Sequence, residues 1–374
     1  MTALVFVTQK IDERDPVLGF VPRLVAALAD RVDVVTVIAN EVTSPLPALP
    51  ANVSVASLGK ERGASQVARG LRYERLLAGA ARRGRADALL AHMCPEYLDL
   101  AAPVAKAFRF PLMLWFAHPA RSQALTIADR LADAVLTSLP GAYPIDSEKV
   151  HVIGQATDVR GLSPCEERSG AGPFRVVAIG RTSPAKRFDV VIRAAAMTAE
   201  KGRDVEVRIV GPSVTHEEER HRDELVALVE RLGLGKRVRI VPGVPPVEVR
   251  DVICGADVLV NAMVAGSGDK VVFEAAVLGR PVVVSNPAFR DLLADLPLDL
   301  TFPEGEASIL AERLHTIANA DAATLQDVTR TLRDRVQREH SLEHWADAVV
   351  QIAETLIARR RRWSLLWRRG ERRR

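Results

Sequence analysis

Residues 257–284 join a short apolar run to a helical segment through a glycine-rich turn, an order of elements that is typical of an anion site. The apolar run covers residues 257–262, the turn is Gly-Ser-Gly at 266–268, and the helical pattern follows to about residue 278. The first N–H groups of a helix lack partners within the helix and carry the positive end of its dipole. Such a turn therefore presents free N–H groups to a phosphate.

One carboxylate, Glu274, interrupts the apolar side chains of this helical segment. Its neighbours Phe273 and Ala275 are apolar, so the pattern predicts that Glu274 is at least partly buried. Burying a charge without a partner costs several kcal/mol, and such a carboxylate needs groups that donate hydrogen bonds to it. Together with the turn, Glu274 predicts a ligand that carries both phosphates and hydroxyl groups.

Two cations follow the apolar run at residues 176–179. Arg181 and Lys186 stand five positions apart, where a predicted strand leads into a predicted helix. An arginine supplies a planar fork of donors and a lysine supplies a point charge, so the two can converge on one diphosphate. The alternative is that both are solvated surface cations.

Three residues of the first half, His118, His92 and Gly19, could also face a ligand. His118 ends the run LMLWFAH, where its ring could donate a hydrogen bond to a sugar hydroxyl or a phosphate, or could simply cap or pack. His92 ends the run ALLAH in the same way, and for it we favour a structural role. Gly19 precedes the first helical stretch, where it either lets a substrate approach the backbone or makes the turn.

Strand and helix patterns alternate along the chain, which predicts an α/β protein with parallel sheets covered by helices on both faces. We expect two doubly wound, Rossmann-like domains facing across a cleft that the strand C-termini line, and a C-terminal helix that crosses back. The expected strands lie near residues 4–7, 34–38, 53–56, 88–91, 112–116, 134–137, 150–153, 176–179, 205–210, 238–241, 258–261 and 282–284. The expected helices lie near residues 20–29, 67–82, 98–108, 122–131, 188–200, 217–231, 247–254, 270–278 and 344–359.

The composition of the chain predicts where the domains meet. Residues 1–162 form the first domain, and the polar, Pro/Gly-rich stretch 163–173 is the linker. The second domain covers residues 174–341, residues 342–358 form the helix that packs back on the first domain, and residues 359–374 are a basic tail.

The positive net charge of the chain comes from this tail. Residues 359–374 contain nine arginines and one glutamate, and the remainder of the chain is mildly acidic. Nucleic acid is therefore not the expected partner. Trp363 and Trp367, with two leucines between them, favour binding to an anionic membrane surface. The alternative is a disordered tail that aids solubility or adheres to nucleic acid.

The remaining composition argues against several classes of protein. Cys94, Cys165 and Cys254 are odd in number and far apart, so we expect no disulfide, no zinc site and a reducing cytosol. The N-terminus lacks the features of a signal peptide, and no run reaches the roughly 20 apolar residues of a spanning helix. Hydrolase motifs of the Gly-x-Ser-x-Gly and His-Glu-x-x-His types and the dinucleotide fingerprint are all absent from the sequence.

Several segments, taken in order, resemble the retaining glycosyltransferases of the GT-B fold, in the group called family 4. The segment GRTSPAKRFDVVIRAA is similar to the phosphate-binding strand, loop and helix of that family. The segments VRIVGPS and VRIVPGVPPVEVRDVICGADVLVNAM match the succeeding units, and VVFEAAVLGRPVV is similar to its Glu-x7-Glu region. The resemblance covers nearly the whole chain and is strongest from residue 174 to 286.

This resemblance implies a metal-independent enzyme without a cofactor, whose donor is a nucleoside-diphosphate sugar held mainly by the second domain. Arg181 and Lys186 would hold the diphosphate, Glu274 the ribose hydroxyls, and His118, in the acceptor-side first domain, the transferred sugar. The implied catalytic residues are His118, Arg181 and Lys186. The implied donor-binding residues are Gly19, Arg181, Lys186, Gly266, Ser267, Gly268, Asp269, Lys270 and Glu274.

One position departs from the family pattern. Gly266 stands where the first glutamate of the motif belongs, and Asp269 and Lys270 could replace its polar contacts to the donor sugar. We predict a cytoplasmic, membrane-associated glycosyltransferase whose acceptor is lipid-linked or a cell-envelope glycan. The alternative is a non-catalytic nucleotide-sugar-binding or scaffold protein of the same fold. An epimerase or phosphorylase of this fold is less favoured. An epimerase would handle the same donor without an acceptor, and a phosphorylase would need a lysine-bound pyridoxal phosphate, which nothing in the sequence indicates.

Overall fold

The computed structural model describes residues 2–15, 17–166, 172–266 and 268–371, the last ten of these by backbone alone. The chain forms two compact units. Unit 1 contains the residues up to Ala156 together with those from Leu342 onward, and unit 2 is Thr157–Ser341. Residues 157–162, which the sequence assigns to the first domain, and the predicted linker 163–173 thus fall within unit 2.

Unit 1 is built on a parallel seven-stranded sheet with the order β3-β2-β1-β4-β5-β6-β7. Its strands are β1 Ala3–Ile11, β2 Val34–Val42, β3 Val53–Ser57, β4 Ala88–His92, β5 Leu112–Trp115, β6 Ala134–Thr137 and β7 Val150–Val152. Its first four helices are α1 Val21–Ala29, α2 Gln66–Arg82, α3 Pro95–Phe108 and α4 Gln123–Leu131. Alternate residues of β1 enter two apolar clusters, because successive side chains of a strand point to opposite faces of the sheet.

Unit 2 is built on a parallel five-stranded sheet with the order β10-β9-β8-β11-β12. Its strands are β8 Phe174–Ile179, β9 Val205–Val210, β10 Val238–Val241, β11 Val258–Asn261 and β12 Val282–Val284. Its helices are α5 Phe188–Glu200, α6 His216–Arg231, α7 Val249–Cys254, α8 Lys270–Val277, α9 Arg290–Leu293, α10 Ala307–Asn319 and α11 Ala322–Arg335. In the strand order of each unit, a crossover reverses the direction in which strands are added, as in a doubly wound fold.

The last helix, α12 Leu342–Glu371, returns to unit 1. Trp345 is fully buried there and meets Trp115 edge to face, with 5.7 Å between ring centroids. Farther along α12, the Arg360 guanidinium lies 2.7 Å from a carboxylate oxygen of Asp133. The aromatic contact is buried, so it contributes more to the docking of α12 than the partly exposed ion pair does.

The predicted fold class is confirmed, and most predicted elements occur within a few residues of their expected bounds. Two details differ. The strand expected near residues 112–116 ends at Trp115, so His118, the last residue of the run LMLWFAH, lies in the following loop. The helix of residues 344–359 is longer than expected, because its backbone continues as far as Glu371 through most of the predicted tail.

The expectation that the chain forms no disulfide is wrong. Cys165 and Cys254 are bonded within unit 2, with 5.3 Å between their Cα atoms. They are 89 residues apart in sequence, so their spacing alone could not reveal that the fold brings them together. The Arg280 guanidinium donates to the carbonyl oxygens of Glu166 and Cys254, both at 2.9 Å, and joins the same two segments. The inference of a reducing compartment from cysteine count therefore loses its basis.

Within the described ranges, no helix combines the length and the apolar character that crossing a membrane requires.

Candidate functional site

The loop after β8 is shaped by two glycines that pack backbone on backbone. Gly180 has a positive φ of 153°, and a Cβ atom there would lie 2.9 Å from Cε of Lys186. A Cβ at Gly211, which follows β9, would lie 1.7 Å from the carbonyl oxygen of Gly180. Neither position can hold a larger residue without a shift of the backbone or of Lys186. The sequence-based prediction missed Gly211, because its role depends on a neighbour in the adjacent strand.

Lys186 and Asp269 form an ion pair that joins the β8 loop to the start of α8. The Lys186 Nζ lies 2.6 Å from Oδ1 of Asp269, and both side chains are largely buried. The Asn261 amide, at the end of β11, donates to Oδ2 of the same carboxylate at 2.6 Å. The two motifs that were predicted separately, at 180–186 and 266–274, therefore meet at one point of unit 2.

Arg181 also has a carboxylate partner. Its Nε lies 3.4 Å from Oε1 of Glu218, and 59% of the Arg181 side chain is exposed while only 5% of Glu218 is. The second oxygen of Glu218 accepts the backbone N–H of Val214 at 2.7 Å. Glu218 thus holds the guanidinium beside the loop while leaving much of it open to a ligand. The prediction did not include Glu218, because the acidic first turn of α6 is equally typical of a solvated helix start.

The N-terminus of α8 has the features of an anion site. Asp269 stands at the N-cap, but its side chain makes no capping bond there because its carboxylate binds Lys186 and Asn261 instead. Gly266, before the helix, has a positive φ of 149°. Gly268 is partly buried, and Ser267 lies outside the described residues. The first N–H groups of α8 are consequently not satisfied by the cap residue's side chain.

Lys270 and Glu274 lie one turn apart on α8 and influence each other's charge. Burial lowers the pKa of Lys270 to about 7, and the Glu274 carboxylate opposes this shift. Burial raises the pKa of Glu274, and Lys270 in turn opposes that. Both side chains are therefore held in a poorly solvated position, where a polar ligand would change their protonation.

In unit 1, His118 is exposed, and its ring is oriented by the backbone. The Ala120 N–H donates to Nδ1 at 3.0 Å. A ring nitrogen that accepts a hydrogen bond carries no proton, so in the neutral ring the proton is on Nε2. His118 therefore offers Nε2–H as a donor.

Gly19 belongs to a loop that is packed against itself. Its N–H donates to the carbonyl oxygen of Asp15 at 2.9 Å, and a Cβ at Gly19 would lie 2.6 Å from that oxygen. The Lys10 ammonium ties the same loop together by ion pairs to Asp12, Asp15 and Glu41 at 3.1–3.2 Å. Of the two alternatives for Gly19, this geometry favours the turn.

His92 has the surroundings of a core residue. It is 1% exposed, its Nδ1 lies 3.3 Å from the hydroxyl of Thr8, and its ring stacks on Phe6. This environment agrees with the structural role we favoured.

The described residues contain no group of three or more histidine, cysteine, aspartate or glutamate side chains that could hold a metal ion.

Part of unit 2 matches a known family model, and several known proteins are similar to the chain. Residues 173–320 match the family model described as "Glycosyl transferases group 1". D-inositol 3-phosphate glycosyltransferase of Corynebacterium glutamicum is 29% identical over 233 residues, which are 56% of this chain and 52% of that protein. The putative colanic acid biosynthesis glycosyltransferase WcaL of Escherichia coli is 27% identical over 51% of this chain and 48% of its own. The chain thus spans about half the length of the curated relatives it matches.

A solved structure resembles nearly the whole chain. Anabaena HepE, crystallised in complex with UDP, superposes with a TM-score of 0.71 over 96% of this chain and 100% of its own, at 18% identity. The predicted GT-B fold class is therefore confirmed, and the matches confirm the predicted resemblance to glycosyltransferases. Membership of family 4 stays a prediction.

Proposed function

We propose that this chain is a retaining glycosyltransferase that uses a nucleoside-diphosphate sugar. One observation carries the proposal: Lys186 from the β8 loop reaches Asp269 at the start of α8. A cation, a glycine turn and a helix N-terminus thereby surround one position beside the C-terminal ends of two adjacent parallel strands. In doubly wound sheets, that edge is where ligands bind.

The leaving group of such a reaction is a nucleoside diphosphate, so catalysis consists chiefly of stabilising its charge and positioning the acceptor. Arg181, Lys186 and the N–H groups of α8 supply positive charge for this purpose. The role fits the exposed guanidinium of Arg181, which Glu218 orients without enclosing it. The proposed reaction needs no metal and no cofactor.

Glu274 and His118 would bind different parts of the donor, the ribose and the transferred sugar. The partly buried Glu274 carboxylate would accept hydrogen bonds from the ribose hydroxyls, which replace the solvation that burial removes. The oriented Nε2–H of His118 would donate to the sugar. The family motif has a glutamate at the position of Gly266. Asp269 and Lys270 would make the polar contacts to the donor sugar that this glutamate makes.

The names of similar proteins suggest the substrates. UDP is bound in the HepE structure, which supports a UDP-sugar as donor. The curated relatives are named for inositol 3-phosphate and for colanic acid biosynthesis, which supports a polyhydroxylated acceptor, lipid-linked or part of a cell-envelope glycan. The basic tail at 359–374 would hold the enzyme at the inner, anionic face of a membrane, in keeping with a lipid-linked acceptor.

A second candidate is a non-catalytic nucleotide-sugar-binding protein. It is favoured by Gly266, and by the fact that both predicted diphosphate cations already have carboxylate partners. A donor panel separates the two candidates. The purified chain is incubated with UDP-, GDP- and ADP-sugars, and release of the nucleoside diphosphate is measured with and without a lipid extract as acceptor source.

If the chain is a glycosyltransferase, we expect the nucleoside diphosphate to be released from one of the donors. Lys186→Ala should abolish this release. Binding of a donor without release from any of them, in the presence of acceptor, would support the non-catalytic protein.

A further inference from the structure

The sheet of unit 2 carries a second concentration of cations, in residues of β8, β9 and β10 that do not belong to the site described above. The register places Arg175 of β8 opposite Glu206 of β9, and Arg208 of β9 opposite Arg239 of β10. Alternate residues of a strand share a face, so these side chains lie on one side of the sheet. All four are exposed.

A cavity of about 520 Å³ lies over this side of the sheet. Lys236 and Arg237, which precede β10, add two more cations to its wall, and Val177 and Val241, which lie on the same face as the cations, supply apolar lining. Helix α7 borders the cavity through Val252. This helix has only six residues and is about 9 Å long, so it is too short to cover β9 and β10.

Some of these cations pair with a carboxylate, and others do not. Arg175 pairs with Glu206 at 3.6 Å, and Arg237 pairs with Asp204 at 2.5 Å. Arg208, Arg239 and Lys236 form no ion pair within the part of the chain that the structure describes.

The pair Arg208 and Arg239 is unfavourable for the sheet, because like charges directly opposite each other on neighbouring strands repel. Local arrangements that oppose stability are typical of functional sites. An anion bound between the two guanidinium groups would turn this repulsion into two attractive contacts.

We propose that this cavity, the β9–β10 basic cavity, binds a small organic phosphate. Paired guanidinium forks match the oxygen geometry of phosphate, and lysine adds a point charge. The volume is that of a small-molecule site, and the valines would cover an apolar part of the ligand. The cavity wall takes residues 175–177 of β8 and 206–208 of β9, whereas the proposed donor site uses Arg181 and Lys186 after β8 and the residues at the start of α8. The two sites are therefore separate, and the proposal does not depend on glycosyl transfer.

The test uses inorganic pyrophosphate as the probe, in a Lys186→Ala background that weakens the proposed donor site. Calorimetry should detect pyrophosphate binding to Lys186→Ala. Adding Arg208→Gln and Arg239→Gln should reduce the affinity by about 100-fold, since two charge-assisted contacts are lost. The matched control adds Arg193→Gln and Arg220→Gln, which remove the same charge from exposed positions of α5 and α6. Equal affinity in the two triple variants would overturn the proposal.

A stability measurement distinguishes arginines that bind a ligand from arginines that only stabilise the fold. Without an anion and at low salt, Arg208→Gln/Arg239→Gln should have a Tm equal to or above that of the parent chain, because the repulsion is removed. Saturating pyrophosphate should raise the Tm of the parent more than that of the variant. A variant that is less stable without pyrophosphate, and gains as much from it as the parent, would show that the arginines are structural.

The source of the phosphate is tested with vesicles of anionic lipid. If Arg208→Gln/Arg239→Gln reduced vesicle binding while no variant bound pyrophosphate, the face would be a membrane contact, and the small-ligand assignment would be wrong.

Discussion

The Lys186 ammonium lies 2.6 Å from the Asp269 carboxylate, so the lysine that should hold a donor diphosphate already has an internal anion as its partner. Asn261 holds this carboxylate in place through a hydrogen bond of 2.6 Å. A diphosphate that binds Lys186 must share the ammonium with Asp269 or displace it. We therefore expect Asp269 to lower the affinity of Lys186 for a diphosphate.

The first prediction concerns this competition. Asp269→Asn should bind UDP more tightly than the parent, because the competing charge is gone while the hydrogen-bonding shape is kept. Lys186→Ala should bind UDP about 10- to 100-fold more weakly, since a charge-assisted contact contributes about 1.5–3 kcal/mol. Calorimetric titration measures both, with Lys201→Ala, an exposed lysine of unit 2, as the control. Weaker binding of UDP by Asp269→Asn would contradict this competition and would mean that the Asp269 carboxylate helps to hold Lys186 or the nucleotide in place.

The second prediction uses the lowered pKa of Lys270. A group with a pKa of about 7 is mostly neutral at about pH 8. A bound phosphate favours the charged form, so binding a UDP-sugar at about pH 8 should take up a proton, and affinity should fall as pH rises through 7. Titrations in two buffers of different ionisation enthalpy measure this uptake. Lys270→Met should show none, and equal uptake in both proteins would assign the proton to another group.

The same shift predicts how stability depends on pH. The folded-state pKa of Lys270 lies below its ordinary value of 10.5, so between about 7 and 10.5 the unfolded chain binds more protons than the folded one. The contribution of Lys270 to the unfolding free energy should therefore rise with pH across that window and be constant below it. Urea unfolding of the parent and of Lys270→Met, compared at several pH values, gives the difference.

The third prediction concerns Glu274. Glu274→Gln should weaken binding of UDP while leaving the fold intact, because a neutral amide is no harder to bury than the carboxylate. A nucleotide without the ribose hydroxyls tests whether Glu274 binds these hydroxyls. The parent should bind 2′,3′-dideoxy-UDP more weakly than UDP, whereas Glu274→Gln should bind the two alike. Glu224→Gln, on the exposed face of α6, is the control. A variant that still discriminates between the nucleotides would remove Glu274 from the ribose site.

The sequence predicts more of the fold than of the candidate site. Strands such as Val205–Val210 and Val282–Val284 were predicted with their final bounds. The first alternates apolar and charged residues because one of its faces is exposed, and the second is a continuous buried apolar run. The glycine turn and Lys186 were also found from local spacing. The ion pair to Asp269, the support of Arg181 by Glu218 and the disulfide of Cys165 all join segments that are distant in sequence. No local pattern specifies such contacts, because they depend on how the loops of adjacent strands pack.

The fourth prediction concerns His118. Its side chain is exposed, so His118→Ala should fold normally and should bind UDP like the parent. Sugar transfer should fall, because the Nε2–H donor would act mainly on the transferred sugar in the transition state. Donor turnover and UDP titration are measured side by side, with His151→Ala, an exposed histidine of β7, as the control. Parallel losses of UDP affinity and turnover would place His118 at the nucleotide or in the fold of unit 1.

The last prediction concerns the basic tail, and the structure indicates where to cut it. Arg360 and Arg361 pair with Asp133 and Asp87 of unit 1, so a truncation after Arg361 keeps both contacts. The shortened chain loses both tail tryptophans and six of the nine arginines. It should keep its Tm and its affinity for the donor, since Trp345 and the rest of the docked part of α12 remain.

The shortened chain should no longer sediment with vesicles of anionic lipid. Binding of the full chain should weaken as salt rises, because charge is screened over about 10 Å at 0.1 M. Equal sedimentation of both chains would assign membrane binding to another surface, and no sedimentation of either would leave solubility or nucleic-acid binding as the role of the tail.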